Sequence, residues 1–396
     1  MTDKYTVRNI IKPALKDLTQ LLSKDQMNVV ITGDSLAYNR YDFEPQHQEN
    51  AYNCYPGILS WSFMLRDAIH QNDKWFIFGD EIDYKESKTI GGNGKGFDNS
   101  QIDYDKYSCL NHGKVATLIF NGINQTNSFL YSHSNSQTNK AVLYMQKRPD
   151  SYSCIYDIYV DDNLALLGVD NSGNTDKFKG WEPFEVDISL PGDGKAHEIS
   201  FRNVRSYKNA ESLVTMAGIG TKNTRIHLTG CGGKTTGFFL ENLDERILEY
   251  QPDFLAFIVG ANDRAYITVQ EFESNLKTIM NKIKTERPNC EILLITPPSS
   301  RDLENPLVDK LPYFISDESS KPFIDAMHKV SRKYDCMFLD LVHLFNDIPI
   351  KEWRYDNVHF TKFGNTYLAK AVLDMILPNE SYYRKELVDT ELWAQV

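Results

Sequence analysis

The sequence predicts a doubly wound α/β fold, a parallel sheet covered by helices on both faces, with a β-sandwich inserted into it. Three observations carry this expectation. Apolar runs without alternation, at Val29-Val30-Ile31, Phe254–Val259 and Ile292–Ile295, read as strands buried on both faces. Helical patterns follow these runs, so strand and helix take turns along the chain. Between about residues 72 and 212 the rhythm gives way to short β-rich runs separated by Gly, Asn and Asp turns.

Each element has its own signal. Ile11, Leu15, Leu18 and Leu22 recur at helical spacing before the first strand. Arg225–Leu228 leads into Gly230–Gly233 and a helix with Phe239, Leu243 and Ile247 on one face. After Phe254–Val259, Thr268 with Glu271 forms a capping box opening a helix whose stripe is Phe272, Leu276, Ile279 and Ile283. Pro297-Pro298 stops the next strand, Met337–Leu339 is one more, and Thr361–Leu377 is a closing helix. In the insert, Val115–Phe120, Ala141–Met145, Cys154–Val160, Phe184–Leu190 and His197–Val204 read as strands. Pro191-Gly192-Asp193-Gly194 between two of them predicts a hairpin. The expected domains are a discontinuous α/β unit, residues 1–70 and 213–396, around an inserted β-sandwich, residues 71–212.

The 396 residues suffice for two cores of ordinary size. With 41% hydrophobic and 24% charged residues the composition is that of a globular protein. A net charge of −11 without any basic stripe argues against nucleic acid and against anionic lipid as partners. Six cysteines without zinc spacing or a dense framework read as buried free thiols. No signal peptide and no membrane-spanning apolar run is visible. The location expected is cytoplasmic if Met1 is the natural start, and secreted if a leader has been removed.

Four short motifs carry chemistry. Gly33-Asp34-Ser35-Leu36 follows the first buried strand, at the sheet edge where open α/β folds bind ligands. Asp356-Asn357-Val358-His359 precedes the last helix, and a carboxylate three residues before a histidine can fix its tautomer from one turn. Gly230-Cys231-Gly232-Gly233-Lys234-Thr235 and Gly260-Ala261-Asn262-Asp263 both follow buried strands, so both belong at the same edge as Ser35. A glycine amide and an asparagine side chain are suitable donors for an oxyanion. Taken singly, each motif also reads as ordinary turn or cap chemistry. The spacing of a phosphate-binding loop is absent, because Leu228 stands five before Gly233.

Their order along the chain resembles the SGNH (GDSL) hydrolase family, over roughly residues 28–70 and 213–378. The resemblance implies a three-layer, flavodoxin-like α/β/α fold. It also implies a Ser-His-Asp mechanism with Ser35 as nucleophile, His359 as base and Asp356 orienting the base. The oxyanion donors it implies are the backbone amides of Ser35 and Gly233 and the side chain of Asn262. Leu228 and Phe360 depart from the family's usual Asn and Pro at those positions. The larger departure is the distance from Ser35 to Gly233, which the β-rich insert accounts for.

The insert loosely resembles jelly-roll modules that accompany such domains in carbohydrate acetylesterases, where Trp75, Trp181 and tyrosines could stack on sugars. The expected activity is hydrolysis of a short acyl ester, acetyl on a saccharide, needing no metal or organic cofactor. Three rivals stand beside it: an O-acetyltransferase using the same residues, a lipase or thioesterase, and an idle glycan-binding protein on a hydrolase frame. Oligomeric state is not readable from the sequence.

Overall fold

The protein was analysed as a computed structural model that describes residues 18–22, 24, 26–38, 61–62, 64–65, 69, 76–79, 81–86, 88–90, 116–132, 139–148, 151–173, 183–207, 211–298, 317–354 and 359–376. The chain divides into two compact units. One contains residues 1–69 and 226–396, the other residues 70–225.

The first unit opens with β1 (Gln26–Gly33). The second supplies β2 (Ile77–Phe78), β3 (Lys88–Ile90), β4 (Ala116–Phe120), β5 (Asn127–Ser132), β6 (Lys140–Gln146) and β7 (Cys154–Val160). It continues with β8 (Asn163–Asp170), β9 (Pro183–Ser189), β10 (Ala196–Ser206) and β11 (Ser212–Gly220). Strand β12 (Asn223–Leu228) returns the chain to the first unit, followed by β13 (Phe254–Ile258), β14 (Glu291–Ile295) and β15 (Met337–Leu339).

The sheet of the first unit has the order β12-β1-β13-β14-β15. Strands β1, β13, β14 and β15 pair in parallel. Alternate residues of these strands serve two different cores. Val29, Ile31, Ala256, Ile258, Leu293 and Ile295 pack with Leu368 and Val372 of the helix Lys362–Ile376. Val30, Leu255, Phe257, Ile292 and Leu294 pack with Phe272, Leu276 and Ile279 of the helix Val269–Glu286 and with Val330 of Asp317–Lys333. This is the three-layer arrangement the uninterrupted apolar runs predict. Each such side chain contributes roughly 1.5–3 kcal/mol on burial, so a strand like Phe254–Ile258, buried along its whole length, has no stable solvent-facing alternative. Thr268 caps the helix Val269–Glu286 by accepting from the Glu271 amide at 3.2 Å, as its sequence suggests.

The second unit is a β-sandwich. One antiparallel sheet has the order β5-β10-β7-β8, the other β3-β4-β11-β6-β9, with β2 paired to β11. Phe129, Tyr156, Ile158 and Phe201 from the first sheet share one core with Leu118, Leu143, Ile188 and Met216 from the second. The boundary falls later than the sequence reading places it. Residues 213–220 form β11, which sits between β4 and β6 inside the sandwich, so the compact unit extends to Arg225 rather than ending at residue 212.

The hairpin expected around Pro191–Gly194 is not formed. Strand β9 pairs with β6, while β10 pairs with β5 and β7, so the turn carries the chain from one sheet to the other. Val186 and Ile188 on one sheet face Ile199 and Phe201 on the other, which an in-sheet hairpin would place side by side. The His197 ring fixes the turn to the four-stranded sheet, with Asp161 at 2.5 Å from Nδ1 and Asp193 at 2.9 Å from Nε2.

Cys154, Cys231, Cys290 and Cys336 are thiols outside any disulfide. Burial pushes the thiols of Cys154 and Cys290 up to about 12, the state of inert core residues. Cys54, Cys109, Trp75 and Trp181 lie outside the described residues. Among the described residues, no helix is long and apolar enough to cross a membrane.

Candidate active site

Ser35 stands where the sheet order reverses. From β1 the chain goes to β12 on one side and later to β13 on the other, and the crevice at such a switch point is where open α/β sheets hold ligands. The backbone there is tightly determined. A Cβ on Gly33 would lie 1.8 Å from the Ile258 carbonyl oxygen, and Gly33 has φ +142°, so glycine is required. The Asp34 amide donates to that same carbonyl at 3.1 Å. The Asp34 side chain accepts from the Leu36 amide at 2.9 Å and so turns the chain into the short helix Ser35–Tyr38. The Trp61 indole N–H, fully buried, then donates to the Leu36 carbonyl at 2.8 Å.

His359 arrives from the other end of the sequence. Arg354 and Phe360 form an isolated antiparallel bridge, and the Thr361 amide donates to the Trp353 carbonyl at 2.9 Å. Trp353 in turn stacks on Phe345 with centroids 4.4 Å apart. Anchored on both sides, the His359 ring places Nε2 3.0 Å from the Ser35 hydroxyl oxygen. That is proton-transfer distance. Asp356, the expected orienting carboxylate, lies outside the described residues.

The two turns expected to hold oxyanion donors meet each other at the same edge. The Cys231 amide donates to the Gly33 carbonyl at 2.7 Å, tying the glycine-rich turn after β12 to the end of β1. Gly233 takes φ +74°, a left-handed conformation that glycine adopts without strain. The Asn262 side chain is buried and donates one amide hydrogen to the Lys234 carbonyl at 3.1 Å. So the structure brings Ser35 to His359 and Asn262 to the Gly233-Lys234 turn, all at one end of one sheet.

Residues 192–367 match the model of the GDSL-like Lipase/Acylhydrolase family. The similarity is to the SGNH (GDSL) hydrolases and covers fewer than half of the chain's residues. Three distant solved structures are similar to the chain. One is a peptidoglycan O-acetylesterase, 13% identical, matched over 92% of this chain and 95% of that one with a TM-score of 0.42. Another is a catalytic mutant of an acetylxylan esterase from Geobacillus stearothermophilus, 19% identical over 38% and 72%, with a TM-score of 0.32. The third is a putative GDSL-like lipase from Parabacteroides merdae, 22% identical over 38% and 72%, with a TM-score of 0.34. At these identities and scores they bear on neither substrate nor mechanism. No curated protein matches the chain.

The site carries two further groups that the sequence reading gives no role. Asp34 and Asp263 are both fully shielded from solvent. Burial, reinforced by the charge of Asp263, pushes the Asp34 carboxyl up to about 7 against the hydrogen bond from Leu36. Burial also raises Asp263, although the Thr236 hydroxyl and amide donate to it at 2.5 and 2.8 Å. Both residues stand inside motifs, each beside a residue singled out for chemistry. Their burial is a tertiary property that the motif spelling does not carry.

Gly33→Ala tests how closely β1 and β13 must approach. The added Cβ cannot fit without moving backbone, so the variant should lose about 3 kcal/mol of stability or fail to fold. Denaturant unfolding of purified protein measures this. A variant of unchanged stability would mean that the strands part at no cost.

Proposed function

We propose that the protein is a serine esterase that removes short acyl groups, acetyl above all, from a saccharide through an acyl-enzyme on Ser35. The observation that carries the reading is the 3.0 Å contact between Ser35 Oγ and His359 Nε2 at the carboxyl end of the switch-point strand. His359 takes the hydroxyl proton as Ser35 attacks the ester carbonyl, and Asp356 holds the imidazolium. The carbonyl oxygen becomes an oxyanion that the amides of Ser35 and Gly233 and the Asn262 side chain stabilise. The C–O bond to the sugar breaks and His359 returns the proton to the departing alkoxide. Water, deprotonated by His359, then attacks the acyl carbon, and the acid leaves as Ser35 regains its proton.

The saccharide part of the reading draws support from the second unit. An open cleft of about 670 Å³ there is lined by Glu86, Asn121, Asn124, Gln125, Thr126 and Glu211 among others. Amides, a hydroxyl and carboxylates together offer donors and acceptors, which is the complement of a ring of sugar hydroxyls.

Two sets of measurements test the proposal. With p-nitrophenyl esters of increasing chain length, acetate should be the best substrate. Ser35→Ala and His359→Ala should each lower turnover by about 10⁴-fold or more, and the double variant should be little worse than either. Asn262→Ala should cost roughly 10²–10³-fold. A Ser35→Ala protein with wild-type turnover would end the reading.

The cleft is tested by replacing Asn121, Asn124 and Gln125 together with alanine. Remote contacts act only on a substrate large enough to reach them. Hydrolysis of an acetylated oligosaccharide should therefore fall about tenfold in kcat/KM, while p-nitrophenyl acetate is unaffected. Equal effects on both substrates, or none on either, would remove the support the cleft gives.

A further inference from the structure

Asp34 and Asp263 leave the Ser35 turn and the Asn262 turn from neighbouring strand ends, with β1 paired to β13 in register Gly33↔Ile258. Both side chains have no solvent exposure. Each satisfies one oxygen only. Asp34 Oδ1 accepts from the Leu36 amide, and Asp263 Oδ1 accepts from the Thr236 amide and hydroxyl. The second oxygen of each, Asp34 Oδ2 and Asp263 Oδ2, is buried without a hydrogen-bond partner. A bare carboxylate oxygen out of water is costly, and two negative groups within electrostatic reach of one another are costlier still.

We propose that Asp34 and Asp263 act as a positioning pair that shares one proton, and that this proton keeps the Ser35 and Asn262 turns in working alignment. Resting on the esterase reading for its kinetic consequence, the pair assigns Asp34 as the neutral member. Two donors from Thr236, with the backbone of Gly260 and of Asp263 itself, favour the charged form at Asp263, whereas Asp34 has the amides of Leu36 and Ala261. Protonation of Asp34 turns a bare acceptor into an O–H donor and removes the repulsion. The charged groups that act on Asp34 among the described residues are Asp263, which raises it, and His359, which lowers it. The two carboxyls titrate as a unit, and the last proton leaves the pair near neutral pH.

The direction of the pH effect follows. An unfolded aspartate gives up its proton near pH 3.9, whereas folded Asp34 keeps its proton to about 7. Between those values the native state binds more protons than the unfolded chain, so stability falls as pH rises through this window and the loss is complete above it. Turnover should show the same event as a falling alkaline limb.

The test uses the full chain. Turnover of p-nitrophenyl acetate is measured from about pH 5 to about pH 9, alongside thermal unfolding over about pH 4.5 to 8.5, for wild type, Asp34→Asn and Asp263→Asn. Wild-type kcat should fall roughly fivefold or more on the alkaline side. Asp34→Asn keeps an acceptor for Leu36 and offers an amide N–H₂ where the acid O–H stood. Its kcat should be a few-fold lower at the optimum, without the alkaline fall. Its melting temperature should gain on wild type steadily as pH rises. Asp263→Asn removes the like charge and should move the alkaline limb to lower pH, which keeps the test open if Asp34→Asn fails to fold.

Parallel alkaline limbs in wild type and Asp34→Asn, or a melting-temperature difference constant with pH, would overturn the pair. A wild type without an alkaline limb, or an Asp263→Asn limb that stays in place, would do the same. Absence of ester turnover at every pH would instead sink the esterase reading, while the melting curves still decide the pair.

Discussion

The contact on which the rest of this structure depends is the approach of the Gly33 backbone to the Ile258 carbonyl. Parallel pairing of β1 with β13 brings the two strand ends together at the point where the sheet order reverses. Because no side chain fits between them, the turn that follows β1 is held against the turn that follows β13. The Asp34 amide bonds to that same carbonyl, and the glycine-rich turn after β12 bonds to Gly33 from the other side. Three segments far apart in sequence are thereby fixed to one backbone position. His359 joins them from beside the Arg354–Phe360 bridge.

Water exclusion gives this arrangement its chemical character. Polar groups at the strand ends must find partners inside the protein, and nearly all do so through short local bonds. Asp34 and Asp263 are exceptions, each with one oxygen left over. Their placement next to Ser35 and Asn262 means that the electrostatics under the site is set by two buried carboxyls, whose repulsion a single proton relieves. A strained or under-satisfied group is tolerated where the surrounding packing determines its position, and here two cores, one on each face of the sheet, supply that packing.

Much of this was legible in the sequence because the signals were of short range or strongly periodic. The uninterrupted runs at Val29–Ile31 and Phe254–Ile258 betray burial on both faces, and Thr268 with Glu271 marks a helix start through local capping. Ser35 and His359 could be paired because their motifs are compact. The sandwich was harder to read. Strand β8 is an edge strand whose Leu164 and Leu167 face solvent, so its pattern carries no clean alternation. Strand β11 reads as one more apolar run and gives no hint that its partners are β4 and β6 rather than the parallel sheet. Pro191–Gly194 has the composition of a hairpin turn, yet pairing is decided by which sheet each strand's apolar face must cover. The buried state of Asp34 and Asp263 depends on packing from segments more than two hundred residues away, which no local pattern encodes.

The central claim is that Ser35 is a hydroxyl activated by His359 for attack on an acyl carbon. A fluorophosphonate probe transfers a stable phosphonyl group to such a serine, and peptide mass spectrometry of the labelled protein then locates the adduct. The account predicts one adduct, on Ser35, formed rapidly in the wild type and greatly slowed in His359→Ala. An adduct on a different residue, or labelling of Ser35 at the same rate without His359, would contradict it.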